Sequence, residues 1–418
     1  MSDNAHDANR AQQNVMPSDT ALPPETADFS RFSTYNYTPL EARALLDRDR
    51  LTNPVPYSEE LGGFHIFRNF EDVKRGLTNF GLYASSPSVQ RPLPKGDIRD
   101  HPQAVAINSD PPEHSKWRKL LVAGMNAGVP ARIEERVRAD AAELIDAIVA
   151  NGGGDLAADL AHQIPQRAIF YVLGFERDAE LSGVHDITQK LLGSMRDSAE
   201  YRKNFDSLAA MGLRAVAERR HTPRDDFMTV LANYDFDGRP LDAEEVGRVI
   251  ATLLIGGSGT AASTITSLLW NIFAQPQVRN VLNGNADLMP VAVEETLRLW
   301  TPFFALYRNV TEDHEVHGKR IAKGDTVYMC WQAANLDPQQ FEAPHQFRLD
   351  RAENRHLTFG LGRHSCIGAP TARMEMRVVA EEMLKRGSAL QLAKPEDVQL
   401  CFEGSETFAI PSLPVTCG

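Results

Sequence analysis

Cys366 sits inside Phe359-Gly360-Leu361-Gly362-Arg363-His364-Ser365-Cys366-Ile367-Gly368, where three glycines surround a single cysteine. Glycine adopts the left-handed backbone of tight turns without steric cost, so the segment describes a loop wrapped around a sulfur. Pro370 suits the first turn of a helix, which is expected to run to Lys385 with Gly387 as its stop. A thiol just ahead of a helix N-terminus meets free amides and the positive end of the helix dipole, and both favour thiolate. A lone cysteine is usually an inert core residue; the glycine-built loop argues for chemistry at this one.

Three further groupings have spacings that let them act together. Glu295-Thr296-Leu297-Arg298 sets opposite charges at i and i+3, on one helix face. His114 and Arg118 share a face at i and i+4 within His114-Ser115-Lys116-Trp117-Arg118. Gly256-Gly257-Ser258-Gly259-Thr260 falls in the middle of an apolar helical pattern. That pattern opens at Asp242 and Glu245, placed as a capping box, and meets no stop before Pro276. Such a helix spans about 34 residues and about 50 Å. Each glycine inside it costs about 1 kcal/mol relative to alanine. Either something flat approaches the backbone there, or the helix bulges, or small residues merely let another helix cross.

The elements that must hold these groups are mostly helical. Apolar residues recur at helical spacing over 130–148 (Ile133, Val137, Leu144, Ile145, Ile148), and Gly152-Gly153-Gly154 ends that helix. Residues 154–175 and 179–220 carry further helical patterns, and 62–74 reads as a glycine turn, a short strand and a helix start. Strand-like pieces are short and late, at 315–321, 326–331 and 408–415. There is no alternating strand–helix–strand pattern, which disfavours a doubly wound or barrel enzyme.

The chain has 418 residues, 42% hydrophobic and 24% charged, with material for a large core. Lys plus Arg is 44 and Asp plus Glu is 56, a net charge of −12, which argues against nucleic-acid binding through phosphates. The four cysteines, Cys330, Cys366, Cys401 and Cys417, have no metal-finger spacing and are too few for a disulfide scaffold. Residues 1–28 are polar and proline-bearing, a loose arm without the layout of a signal peptide. No apolar run is long enough to be read as a membrane anchor. A cytoplasmic protein is expected.

Phe359 to Gly368, read as FGLGRHSCIG, resembles the haem-binding loop of the cytochrome P450 haem-thiolate monooxygenases, FGxGxHxCxG, and matches every fixed position. Glu295 and Arg298 match the family's ExxR, and Phe347-Arg348-Leu349-Asp350-Arg351 resembles the later segment that supplies Arg351 to the same network. The glycine-broken helix matches the long central helix that crosses the haem. The resemblance covers residues 29–415. It implies one large, mainly α domain with a smaller β region over 29–418, with haem b as cofactor.

The same resemblance assigns roles. Cys366 is the axial thiolate ligand, which pushes electron density onto iron and favours O–O cleavage, in a loop shaped by Phe359, Gly360 and Gly368. His114, Arg118, Arg308 and His364 match residues that hold the haem propionates. Glu295, Arg298 and Arg351 match a structural ion-pair network, since buried charges need partners. Thr260 matches the threonine on the oxygen-binding side. The residue before it is usually an acid that relays protons; here it is Gly259, with no side chain. Ser258, an ordered water chain beside Gly259, a polar group of the substrate, or peroxide as oxidant are the routes left open.

The family's pocket segments correspond to Val89, Leu254, Gly257, Phe303, Phe304 and Phe408, a mostly apolar set suited to a small aromatic or terpenoid molecule. Arg91 and Arg99 lie in or near the same loop. The implied reaction inserts one atom of O2 into such a substrate. With no flavin or nicotinamide motif, electrons are expected from a ferredoxin and its reductase. The expected docking face carries Lys116, Arg118, Lys119, Arg363, Arg373 and Arg377, with only Glu375 opposing the cations of 355–377. Competing readings are a peroxide-driven oxygenase, a haem protein without oxygenase activity, and a metal hydrolase through His314 and His317.

Overall fold

Val129–Ala150 shows how this sequence makes its helices. Proline opens it, and Ile133, Val137, Ile145 and Ile148 bury one stripe. It ends where Gly152 and Gly153 take positive φ values of 76° and 145°. Gly153 is required for a second reason: a Cβ there would lie 2.3 Å from the Val415 carbonyl oxygen. Strand Gly153–Asp155 thereby pairs closely with Pro414–Cys417, which in turn pairs with Leu390–Leu392. The structure, a computed structural model, describes residues 28–90, 104–126, 128–175, 187, 190–191, 198–403 and 406–418. The arm before residue 28, Arg91, Arg99 and part of the 179–220 pattern lie outside the described residues.

The central helix begins where expected. Asp242 Oδ1 accepts from Glu245 N at 2.8 Å, and Glu245 Oε2 accepts from Asp242 N at 2.9 Å, completing the capping box. It does not run unbroken: Ala243–Gly257 and Gly259–Ala274 meet at Ser258 (φ −91°, ψ −69°). Ser258 Oγ donates to Leu254 O at 2.7 Å, and Thr260 Oγ1 donates to Gly256 O at 2.9 Å. Hydroxyls that bond back to the i−4 carbonyl bend helices, and the surrounding glycines offer little resistance. The two halves together have the length and apolar composition of a membrane span, which corrects the expectation that no such run exists; 72% of its most apolar window is buried against the rest of the fold.

Ser198–His221 packs on the first half of the central helix and Ala369–Arg386, the helix expected after the cysteine loop, on its second, with Val129–Ala150 packed in turn against Ala369–Arg386. A five-stranded sheet forms the β region, in the order Tyr57–Ser58, Phe64–Phe67, Thr326–Met329, Leu306–Val310, Tyr83–Ala84. Phe64–Phe67 runs parallel to Thr326–Met329 and the other pairs are antiparallel. The piece expected at 315–321 is a hairpin of two short strands, and the one at 408–415 is two separate strands, Thr407–Ala409 and Pro414–Cys417. The fold is mainly helical with small sheets, as expected.

Candidate active site

The cysteine loop is built as its glycines suggest. Gly360 and Gly362 have φ values of 64° and 68°. Gly362 also packs against the end of helix Phe70–Thr78, where a Cβ would approach Leu77 O to 3.2 Å. Cys366 N donates to Phe359 O at 2.7 Å, closing the loop on itself. The Arg373 guanidinium lies 4.5 Å from the Phe359 ring centre. Cys366 keeps accessible surface as a residue, yet enough protein surrounds its thiol that burial is the main influence on its pKa. Burial pushes this thiol up, outweighing the amides of Gly368 and Ala369 and the charge of Arg118, which pull it down. The amides at the helix terminus thus pull in the expected direction, and burial opposes them. A bound metal cation deprotonates a coordinating thiol outright.

Cationic side chains converge beside this loop. His114 is 2% exposed, and neither ring nitrogen has a hydrogen-bond partner among the described residues. Its ring centre lies 4.4 Å from that of His364. His364 Nε2 is 3.1 Å from Ser85 Oγ. Burial, reinforced by Arg308 and His114, lowers the His364 pKa to about 4. Arg308 is buried, donates from Nη1 to the Tyr307 carbonyl at 2.9 Å, and is lowered to about 10 by burial. Arg118 Nη2 reaches Ser365 Oγ at 3.5 Å. Strand periodicity explains the placement of Arg308: it faces away from Tyr307, its neighbour on Leu306–Val310. Asp110, which sequence reasoning missed, lies within electrostatic reach of Arg308 and His364, and its oxygens accept from the Ser85 and Ser86 amides at 3.1 and 2.9 Å. Among the described residues, Asp110 thus acts on three groups that are or can become cationic, His114, Arg308 and His364, with Arg118 beside them. A partner bearing two carboxylates, as haem does, supplies what the cluster lacks.

The break in the central helix is also open. Gly256 and Gly259 are exposed although the helix is mostly buried, and a Cβ on either would meet nothing within 4 Å. Thr260 is partly exposed next to them. Ser258 points the other way, buried and bonded to Leu254 O, so it does not line this space. The expected pocket set needs correction. Leu254 and Phe304 have no accessible surface, and Val89 and Phe408 have almost none. Leu254 packs in the main core and Phe304 against Phe402. Phe408 stacks on Trp300, and Val89 O accepts from Tyr307 N at 2.9 Å. Gly257 faces Ile169, whose Cδ1 would lie 2.6 Å from an added Cβ. These side chains were needed for the core. Phe303 alone of the set's aromatic residues keeps accessible surface.

The expected ion-pair network is present and larger than expected. Arg298 Nη2 and Nε donate to Glu295 Oε1 and Oε2 at 2.8 and 2.9 Å, and Arg351 Nε donates to Oε2 at 2.9 Å. Arg348 N and Asn354 Nδ2 add bonds at 3.0 and 3.1 Å. Arg298 also caps the carbonyls of Asn335, Pro344 and Gln346. The expected docking cations are largely neutralised. Arg373 pairs with Glu294 at 2.6 Å, Arg377 with Glu134 at 2.7 Å, and Lys116 with Asp237. Glu375, expected as their surface counterweight, is buried. Lys119 and Arg363 are exposed, Arg363 lying 4.0 Å from the Phe80 ring centre. His314 bonds Tyr83 and His317 bonds Asp72, and the described residues hold no cluster of three metal-ligating side chains.

The family model described as Cytochrome P450 matches residues 175–416. The chain is 32% identical over 381 residues to the mycinamicin IV hydroxylase/epoxidase of Micromonospora griseorubida, covering 87% of this chain and 92% of that one. It is also 32% identical over 376 residues to a steroid C26-monooxygenase of Mycolicibacterium smegmatis, covering 86% and 91%. Among solved structures it resembles cytochrome P450 CYP109Q5 from Chondromyces apiculatus, with TM-score 0.79 and 27% identity over 90% of this chain and 95% of that one. CYP109E1 from Bacillus megaterium in complex with corticosterone superposes with TM-score 0.78 and 25% identity, covering 89% and 97%. The cysteine loop, the paired ExxR charges and the fold all agree with these matches, and the chain belongs to the cytochrome P450 family of haem-thiolate monooxygenases.

Proposed function

We propose that this protein inserts one oxygen atom from O2 into a bulky apolar organic molecule, with Cys366 as the axial ligand of haem b. The observation that carries this reading is the cluster of His114 and Arg308, both buried, with the partly buried Arg118 and His364, beside the glycine-built loop of Cys366. Haem bound through a thiolate supplies the activation of O2. The protein's own residues do the rest. His114, Arg118, Arg308 and His364 would hold the propionates, where hydrogen bonds to a charged group are strongest. Glu295, Arg298 and Arg351 anchor the segments around the loop and move no proton.

Thr260 spends its proton on Gly256 O, so its Oγ1 is left to accept. It therefore holds a donor, either a water or a substrate hydroxyl, in the space beside Gly256 and Gly259. Ser258 is replaced as a relay candidate because its hydroxyl is buried and committed to Leu254 O. The named relatives act on mycinamicin IV and on steroids, and one structural neighbour holds corticosterone. These support a substrate larger than the small aromatic first expected. Electrons come from a separate ferredoxin in the cytoplasm, docking near Lys119 and Arg363.

The carbon monoxide difference spectrum of the ferrous holoprotein tests the assignment. The wild type is expected to show the Soret band of thiolate-ligated haem, and Cys366→Ser to lose it. A wild-type spectrum of histidine-ligated haem overturns the reading. Gly259 favours one second reading, turnover driven by peroxide, which brings its own protons. Product formed from hydrogen peroxide without any redox partner would select it.

A further inference from the structure

Glu406 is 2% exposed, and its carboxyl is surrounded by hydroxyls from three separate segments. Tyr328 Oη donates to Oε2 at 2.5 Å. Tyr307 Oη and Thr34 Oγ1 donate to Oε1 at 3.1 and 3.3 Å. Tyr307 and Tyr328 face each other across neighbouring strands of the large sheet, and Thr34 lies in the first described segment of the chain. All three are buried. None of the four belongs to the cysteine loop, the cationic cluster or the helix break.

An acid in such a place is costly to bury, and an apolar residue of similar size would fill the volume at less expense. The acid instead provides position, since three bonds from three directions fix it. The backbone carries that position forward. Glu406 O accepts from Phe304 N at 2.8 Å, and Phe408 N donates to Pro302 O at 2.8 Å. Between these bonds Phe303 pairs with Thr407 across an isolated bridge. Residues alternate across a strand: Glu406 and Phe408 are buried behind, and Thr407 keeps accessible surface on the other side, as does Phe303. Ser263 Oγ donates to Phe408 O at 2.6 Å, one turn beyond Thr260, and so ties this unit to the open stretch of the central helix.

We propose that Glu406 is a positioning residue for ligand selection: through Thr34, Tyr307 and Tyr328 it fixes the Phe303–Thr407 pair as one wall of the space beside the haem. The proposal rests on the haem-thiolate reading, and two azoles separate the two ideas. Imidazole reports only that haem is bound and its far side is open. 4-Phenylimidazole must also fill the space that the wall bounds. Soret shifts of the ferric holoenzyme give both dissociation constants.

In Glu406→Leu, which removes all three of these hydrogen bonds, the affinity for 4-phenylimidazole is expected to fall about tenfold, while imidazole is unchanged. Glu406→Gln can pair with the same hydroxyls, whose protons rotate, and should stay within about twofold of wild type for both ligands. Should Glu406→Leu fail to take up haem, Tyr328→Phe removes a single hydroxyl and is expected to weaken 4-phenylimidazole alone by about threefold. Unchanged affinities in Glu406→Leu (or in Tyr328→Phe where that variant stands in), or equal changes for both azoles, would overturn the proposal. A wild-type carbon monoxide difference spectrum of histidine-ligated haem would instead sink the haem-thiolate reading, and this inference with it.

Discussion

At the scale of the residue, Glu294 and Glu375 show how partners decide what burial does to an acid. Burial raises both. At Glu294, hydrogen bonds from Arg373 and His356 outweigh it and hold the carboxyl near about 2. Glu375 has Oε2 without a partner among the described residues, and burial alone lifts it to about 8. The stability from Glu294 is therefore present above its ordinary value of 4.5 and lost as pH falls toward about 2. Glu375 behaves oppositely: its contribution is intact below 4.5 and is lost as pH rises through about 8. Glu375→Gln should raise the melting temperature at about pH 9 and leave it nearly unchanged at about pH 5, measured by thermal unfolding. An equal effect at both pH values would show that Glu375 does not titrate. Gly259→Asp belongs to the same scale. A Cβ there meets open space, so the acid fits, and peroxide released per reducing equivalent is expected to fall. Unchanged coupling would mean that protons already arrive by a route indifferent to that position.

At the scale of the element, the central helix separates glycines that packing requires from glycines that leave room. Gly257→Ala would place a Cβ 2.6 Å from Ile169 Cδ1. Overpacking of this kind costs about 1–3 kcal/mol, against a helix-propensity gain of about 1 kcal/mol. Gly259→Ala meets nothing and gains up to about 1 kcal/mol. Calorimetry should find Gly257→Ala below wild type and Gly259→Ala at or above it. The reverse order would mean that the helix break itself, not side-chain room, needs Gly259.

At the scale of the whole molecule, the −12 charge is distributed by tertiary pairing more than by chain neighbourhood. Residues 355–377 look like a cationic stretch, but Arg373 and Arg377 are answered by Glu294 and Glu134 from other parts of the chain, with Glu381 one turn on along the same helix. Lys119→Glu is expected to slow reduction by a ferredoxin, most strongly at low salt, in stopped-flow measurements. Arg373→Glu should instead lower the melting temperature, because it leaves Glu294 partly buried beside a like charge. Equal kinetic effects from the two variants would restore Arg373 to the docking face.

Local chemistry was legible along the chain. Gly360 and Gly362 need their positive φ wherever the loop lies, the Asp242–Glu245 cap closes over three residues, and Glu295 reaches Arg298 within one helical turn. Each depends on a handful of neighbours, so the sequence by itself determined it. Where a side chain points across the core was decided only by packing. Leu254, Phe304 and Phe408 suit a pocket as well as an interior, and the tertiary structure used them for the interior. Asp110 joined the cationic cluster, and Glu406 met Thr34, Tyr307 and Tyr328, through contacts that span up to 372 positions. No local period encodes such meetings, because they arise from how helices and sheet edges close on one another.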